Sequence, residues 1–302
     1  RRVRSAAVAA LIVGVYFYIV LQVVGGGIMF EKMLGLTYLQ GMLVFLGVVL
    51  VCLLFSGMWS IVLTDVFGFL VFMAAGLIFP IAIVKMAGGL EAAIKGAGAI
   101  HGAQYWTMLG KSGLTPMQHL GNVLSWVIIL GASPHLIVRS YIVKDTKDIY
   151  KGGIATLIAG SALTFFLFLG YVALVNLVDP KSMHPDYVAV HASLNILPPL
   201  LGILYMAGAF TAGTTTANAQ YLTCAQGLAR DLYQKLLRPK TTDIEVIRVT
   251  YVALILIGVA TAIVAAMRPW LLVIAGTITG MILSFGYFPT LTLGLFWGRL
   301  PA

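Results

Sequence analysis

The sequence predicts an all-helical protein that crosses a membrane many times, and three observations carry that prediction. Of its 302 residues 60% are hydrophobic and 10% charged, with a mean hydropathy of +1.00, a balance that soluble domains do not have. Apolar runs of about 20 residues, the length a helix needs to span a bilayer, recur along the whole chain. The basic residues sit between those runs with a bias. If the N-terminus is inside and the runs alternate, Lys32, Lys85, Lys95, Lys111, Lys181 and Arg268 fall outside and the other thirteen of the 19 fall inside, as the positive-inside rule requires. The net charge of +9 needs no nucleic-acid partner once that rule accounts for it.

Eight spans are expected, near residues 6–24, 40–58, 65–84, 117–138, 152–178, 197–227, 249–267 and 270–297. Arg1, Arg2 and Arg4 precede the first, and Gly25-Gly26-Gly27 reads as its C-terminal turn. Asp65 opens the third, as a helix N-cap or as a cation ligand. An amphiphilic stretch from Lys85 to Pro116 leads into the fourth. There, Gly131 resists helix formation and Pro134 removes a backbone donor, so a break is expected between Gly131 and Ser133. Carbonyls freed at such a break persist in a membrane only where protein or a cavity satisfies them, which makes the break either a simple proline kink or a pointer to a solute site. His135 follows it, as a satisfied helix-end histidine or a proton relay. Pro80 and Pro289 read as ordinary kinks. Cys52 and Cys224 lie in apolar runs and read as packing residues, and His184 and His191 lack metal-site spacing.

The sixth span carries Ala212-Gly213-Thr214-Thr215-Thr216-Ala217-Asn218-Ala219-Gln220, in the middle of a run from Tyr187 to Ala229 without Asp, Glu, Lys or Arg. Thr211, Thr215 and Asn218 share a helix face, and Ala212, Thr215, Thr216 and Ala219 an overlapping one. Neutral oxygens at short range suit a hard cation such as sodium. Small residues and threonines that bond their own i−4 carbonyl would give the same stripe through packing alone. Zinc-protease, nucleophile-elbow and phosphate-loop patterns are absent from the sequence, so no enzyme is expected. No signal-peptide pattern opens the chain at Arg1, which is expected to be a piece of a longer protein.

Four motifs in order resemble those of the sodium:solute symporter family, its proline and pantothenate permeases in particular. They are Gly57-Met58-Trp59-Ser60-Ile61-Val62-Leu63-Thr64-Asp65, Gly131 to Arg139 with Pro134-His135 at its centre, Ala229-Arg230-Asp231-Leu232-Tyr233, and Gly294-Leu295-Phe296-Trp297-Gly298-Arg299. The resemblance implies a leucine-transporter-like fold of two inverted five-helix repeats. It implies one transmembrane domain over residues 1–302 holding core helices three to ten, with the first two core helices outside this chain. Counting back from Asp231-Leu232-Tyr233, Ala212 matches a carbonyl ligand of the family's sodium ion, and Thr215 and Thr216 match its hydroxyl ligands. Some members hold a second sodium with an aspartate matching Asp65. The hydroxyl positions that go with it are Asn218 and Ala219 here, and Ala219 has no side-chain oxygen, so Asp65 and Asn218 are the candidates for a second cation while one sodium per solute is expected.

Sugar-carrying members place an aromatic pair where Ile129 and Leu130 stand, which argues against a stacked sugar. The Pro134-His135 pair and the Asn218-Ala219-Gln220 triplet are similar to pantothenate-permease forms and imply a small carboxylate-bearing solute: pantothenate, an amino acid or a monocarboxylate. Trp126, Ile129, Gly131 and Ser133, beside the break, are the candidate solute residues. The implied function is sodium-coupled symport in a cell membrane, with both ends of the chain cytoplasmic and with solute, sodium ion and lipid as partners. The alternatives are proton coupling through Asp65 or His135, and a transporter-like sensor region of a signalling protein.

Overall fold

A computed structural model describes the chain except residues 1, 56–57, 103–105, 107–114, 141–142, 180–181, 269–271 and 297–302, and except the side chains of 2–6, 58–61, 63, 129–130, 132, 138–139, 290 and 294–295. The side chains of Ile129 and Arg139, and Trp297 to Arg299, therefore lie outside the described residues. Helices account for nearly all the rest: α1 (Arg2–Leu34), α2 (Tyr38–Phe55), α3 (Met58–Met86), α4 (Leu90–His101), α5 (Pro116–Ala132), α6 (Pro134–Ser140), α7 (Thr146–Leu174), α8 (Val188–His191), α9 (Pro199–Gln226), α10 (Asp243–Ala266), α11 (Leu272–Gly286) and α12 (Phe288–Phe296). Seven of the described helical stretches are long and apolar enough to span a bilayer. The eighth expected span is the one that is broken, into α5 and α6, each too short alone.

Local chemistry sets several of the helix starts. Thr115 and Gln118 form a capping box ahead of Pro116, Thr242 and Glu245 do the same for α10, and the Asp145 carboxylate accepts the Lys147 N–H ahead of α7, satisfying donors that a helix start leaves free. The break falls at Ser133, whose ψ of 114° is extended, immediately before Pro134. Ring closure at proline and the missing N–H explain that position.

Helix α1 is the axis of the fold and packs on α2, α9, α10 and α11. Its core face of Val15, Ile19, Val23 and Ile28 meets Phe45, Val49, Tyr221 and Leu254. A smaller core joins α3, α4 and α7 to the segment before α9, with Phe79 stacked on Tyr205 at 4.0 Å between ring centroids. Two sequence expectations are corrected here. Helix α1 runs straight through Gly25-Gly26-Gly27 to Leu34: these glycines give room for α2, because a Cβ on Gly26 would fall on the Phe45 ring, so close packing overrides the local tendency to end the helix. Asp65 is not an N-cap, because α3 begins at Met58 and Asp65 lies half-buried two turns inside it.

Candidate functional site

The stripe on α9 forms as a continuous helix in which threonines bond back to their own turns. Thr214 Oγ1 donates to Phe210 O at 2.9 Å, Thr215 Oγ1 to Thr211 O at 2.8 Å and Ala212 O at 3.3 Å, and Thr211 Oγ1 to Gly208 O at 2.9 Å and across to Gly68 O of α3 at 3.3 Å. A hydroxyl that donates keeps lone pairs for another partner, so this back-bonding does not exclude a cation. Thr216 differs: among the described residues its hydroxyl has no hydrogen bond.

Neighbouring residues on a helix lie about 100° apart around its axis, and α9 consequently presents its oxygens to two cavities. The first, about 330 Å³, is lined at one end by Ala212, Gly213 and Thr216, with Gln22, Gly25 and Gly26 of α1 opposite. The second, about 640 Å³, takes Thr211, Thr214, Thr215 and Asn218 against Thr64 and Phe67 of α3 and residues of α2. The carbonyl of Ala212, which accepts from Thr215, lies between these faces. Asp65 is one residue from Thr64 but does not line the second cavity. Asn218 is 6% exposed and Gln220 fully buried; among the described residues Asn218 Oδ1 and both polar atoms of Gln220 lack hydrogen-bond partners.

The first cavity also contains Tyr205, eleven residues before Thr216 along α9, so it is a shaft extending about 16 Å along that helix. Its far end is bordered by the segment from Pro185 to His191, which contributes Asp186, Ala189 and Val190. That segment is held by a cluster of long-range polar contacts. Tyr187 donates to Glu31 Oε2 at 2.8 Å, and Arg268 Nη1 donates to the Tyr187 hydroxyl at 2.7 Å. Arg268 Nη2 also pairs with Glu31 at 2.8 Å, and its guanidinium lies 3.4 Å from the Tyr38 ring centroid. Asp186 Oδ2 accepts the Leu272 N–H at the start of α11 at 3.3 Å. Partial burial, reinforced by the Glu31 carboxylate it bonds, pushes the Tyr187 phenol above its ordinary value. The ends of α1, α2, α10 and α11 thus share one face of the molecule with this segment.

The candidate solute residues do not gather in either cavity. Ser133 is buried at the break, and next to it the His135 ring meets the Tyr18 ring edge-on at 6.1 Å. Gly131 faces outward with no heavy atom within 4 Å of where a Cβ would stand, and Trp126 is 37% exposed with its indole edge against Gly276 of α11. The Ile129 side chain lies outside the described residues. What the sequence reading missed is Gln22. It is the one amide between Arg4 and Glu31, a stretch with no Asp, Glu, Lys, Arg or His, and that isolation in an apolar run was the available signal.

Comparison with known proteins agrees with this architecture. The profile of the sodium:solute symporter family matches residues 1–302. The chain is 24% identical over 293 residues to the high-affinity proline transporter PutP of Bacillus subtilis, covering 94% of this chain and 60% of that protein. It is 28% identical over 291 residues to a sodium/pantothenate symporter of Escherichia coli, covering 93% and 58%. The chain therefore spans about 60% of the length of these curated relatives. Among solved structures, the substrate-bound outward-open state of a Na+-coupled sialic acid symporter superposes with a TM-score of 0.77 at 14% identity, over 95% of this chain and 63% of that one.

Proposed function

The chain belongs to the sodium:solute symporter family, and from that premise we infer that it takes part in carrying a small carboxylate-bearing solute across a membrane together with sodium. The observation that carries this reading is the placement of Ala212 O, Thr215 Oγ1 and Thr216 Oγ1 in the middle of a spanning helix, with the Thr216 hydroxyl on a shaft that reaches one face of the molecule. Neutral oxygens at membrane depth hold a hard monovalent cation without a buried carboxylate to neutralise it. In this reading sodium is cargo, held by Ala212, Thr215 and Thr216, and its charge prepares the neighbouring space for an anionic group. Asp65 and Asn218, on the α3 side of α9, are the proposed contributors to any second cation.

Both ends of the chain are assigned to the cytoplasm by the positive-inside rule, which puts the Glu31–Arg268 cluster and the shaft mouth outside. Sodium and solute affinities then raise one another by the same factor. The relatives' names direct the choice of solutes to test: proline and pantothenate, with short monocarboxylates beside them. Uptake by the protein in proteoliposomes, with and without an inward sodium gradient, tests the reading. Accumulation of one of these solutes only with the gradient is expected; uptake indifferent to sodium removes sodium coupling from the account.

A further inference from the structure

We propose that the turn before α10 and the outer face of that helix bind an anionic phospholipid, its phosphodiester between Arg238, Lys240 and Arg248 and an acyl chain along the helix. The inference stands apart from the symport reading, because no residue of α10 lines either cavity beside the α9 threonines.

The turn is fixed by its own residues. Arg238 O accepts from Thr241 N at 3.1 Å and from Thr241 Oγ1 at 2.7 Å, Gln234 Nε2 reaches Thr241 O at 3.5 Å, and Pro239 holds its own φ. The Arg238 guanidinium stands 5.9 Å from the centre of the Tyr233 ring. Arg238, Pro239, Lys240, Thr241 and Glu245 line an open cavity of about 470 Å³. Its one carboxylate, Glu245, accepts the Thr242 N–H at 3.2 Å in the capping box. Among the described residues Arg238, Lys240 and Arg248 make no ion pair, whereas the nearby Lys235 is paired with Asp231 at 3.1 Å. The cavity therefore carries a positive balance that no side chain around it neutralises.

Helix α10 continues the site into the bilayer. Ala253, Leu254, Ile257 and Thr261 form its buried face, and its packing partners are α1, α2 and α9. On the other side Ile244, Tyr251, Val252, Ile255 and Val259 are exposed at the spacing of one helical stripe. Arg248 stands in the middle of that stripe, four residues from Ile244 and four from Val252. Because side chains on a helix lean toward its N-terminus, Arg248 is directed back toward the turn, its stem on apolar surface and its guanidinium at the boundary. The 24 residues of α10 rise about 36 Å against a hydrocarbon core of about 30 Å, so its start lies at headgroup level. Exposed Leu237 and Ile244 flank the turn and keep it there. A protein helix laid on this stripe would bury Arg248 without a counter-charge. An amphiphile with an apolar tail and a negative end matches both parts, and the positive-inside rule puts the turn on the cytoplasmic side, where basic clusters attract anionic lipid.

The test is thermal stabilisation of the purified protein in detergent, with native mass spectrometry to count retained lipid. The probes are dioleoyl-phosphatidylglycerol, dioleoyl-phosphatidylcholine and sn-glycerol 3-phosphate, the last being a phosphate without a tail. Stabilisation by phosphatidylglycerol well beyond that by phosphatidylcholine is expected, with none from glycerol 3-phosphate. Arg248→Gln and the double variant Arg238→Gln/Lys240→Gln should raise the half-saturating phosphatidylglycerol concentration about fivefold for each charge removed. Arg248→Lys, which keeps the charge, should stay within about twofold. Lys147→Gln/Lys151→Gln, basic residues on α7 away from the site, should behave as wild type. Lipid-free melting temperatures check that the variants fold, and the lipid count on the wild type stands independently of them. Equal stabilisation by the two lipids, no retained phosphatidylglycerol, or an α7 variant as impaired as the site variants would overturn the proposal. Stabilisation by glycerol 3-phosphate that the site variants lose would assign the basic turn to a soluble phosphate and overturn the lipid.

Discussion

Arg268 offers the sharpest test of how the shaft mouth is held. Replacing it with Ala removes a charge-assisted hydrogen bond to Tyr187 at 2.7 Å, an ion pair to Glu31 at 2.8 Å and a stack on Tyr38. The ion pair is partly open to solvent and contributes at most about 1 kcal/mol. The stack adds about 0.5–1 kcal/mol and the hydrogen bond about 1.5 kcal/mol. The freed side chain regains up to about 2 kcal/mol of rotamer entropy. A net loss of about 1–2 kcal/mol remains, which for a chain of this size lowers the melting temperature by about 2–3 °C. Arg268 also has φ of +44°, a conformation that costs a non-glycine residue about 1 kcal/mol, so Arg268→Gly should be milder than Arg268→Ala. Arg268→Lys keeps the charge without the planar fork and should fall between wild type and Ala. Thermal unfolding of the three variants, with a double-mutant cycle against Tyr187→Phe, is the assay. An Ala variant melting with wild type, or a cycle showing no coupling, would refute the reasoning.

Four further outcomes are expected. Thr216→Val should raise the sodium concentration for half-maximal uptake about tenfold while Thr216→Ser stays within about twofold, the hydroxyl being the ligand; equal behaviour of Val and Ser in the activation curve would remove Thr216 from the site. Because folding raises the Tyr187 pKa, the stability it contributes is fully present below the ordinary phenol value of about 10 and lost as pH rises through the folded one; melting curves from pH 7 to 11 should show that loss in wild type and less of it in Tyr187→Phe. Gly41→Ala would put a Cβ 2.8 Å from Glu31 N and Gly27 O, both backbone, and should cost about 3 kcal/mol, visible as reduced yield of folded protein in detergent. Gln220→Leu removes a fully buried amide that has no partner among the described residues and should be neutral or stabilising, by up to about 2 kcal/mol; a drop of several degrees in melting temperature would show that the amide is paired after all.

The break in the fourth span was legible because its cause is local: Pro134 fixes its own φ and restricts Ser133, whatever surrounds them. The straight passage of α1 through Gly25-Gly26-Gly27 was not, because its cause is the Phe45 ring on another helix. Asp65 reads as a cap because it is the charged residue that opens the third apolar run; the helix starts earlier, at Met58, where the hydropathy pattern gives no sharp edge. On α9 the residues of the stripe were visible, but the shared face assigned to Thr215 and Thr216 divides in the structure, where the two line different cavities. Which of them faces which cavity depends on where α1 and α3 pack. Arg268 and Glu31 lie 237 residues apart in sequence, and no local rule pairs them.

Helix α9 does not stop at Gln226. It continues through Gly227–Leu237 with wider i→i+5 bonding, closed by Arg238 N on Tyr233 O at 2.8 Å. Pro199 to Leu237 is thus one rod of 39 residues, whose length approaches 58 Å at α-helical rise, about twice the hydrocarbon thickness of a bilayer. From Thr216 to its end is about 30 Å, so a tilt of about 5° at the level of Thr216 swings the end by between 2 and 3 Å, about half a helical turn. A rod continuous across that change of bonding is geometrically a lever, with Thr216 near its middle and Asp231, Tyr233 and Lys235 on the arm beyond Gly227.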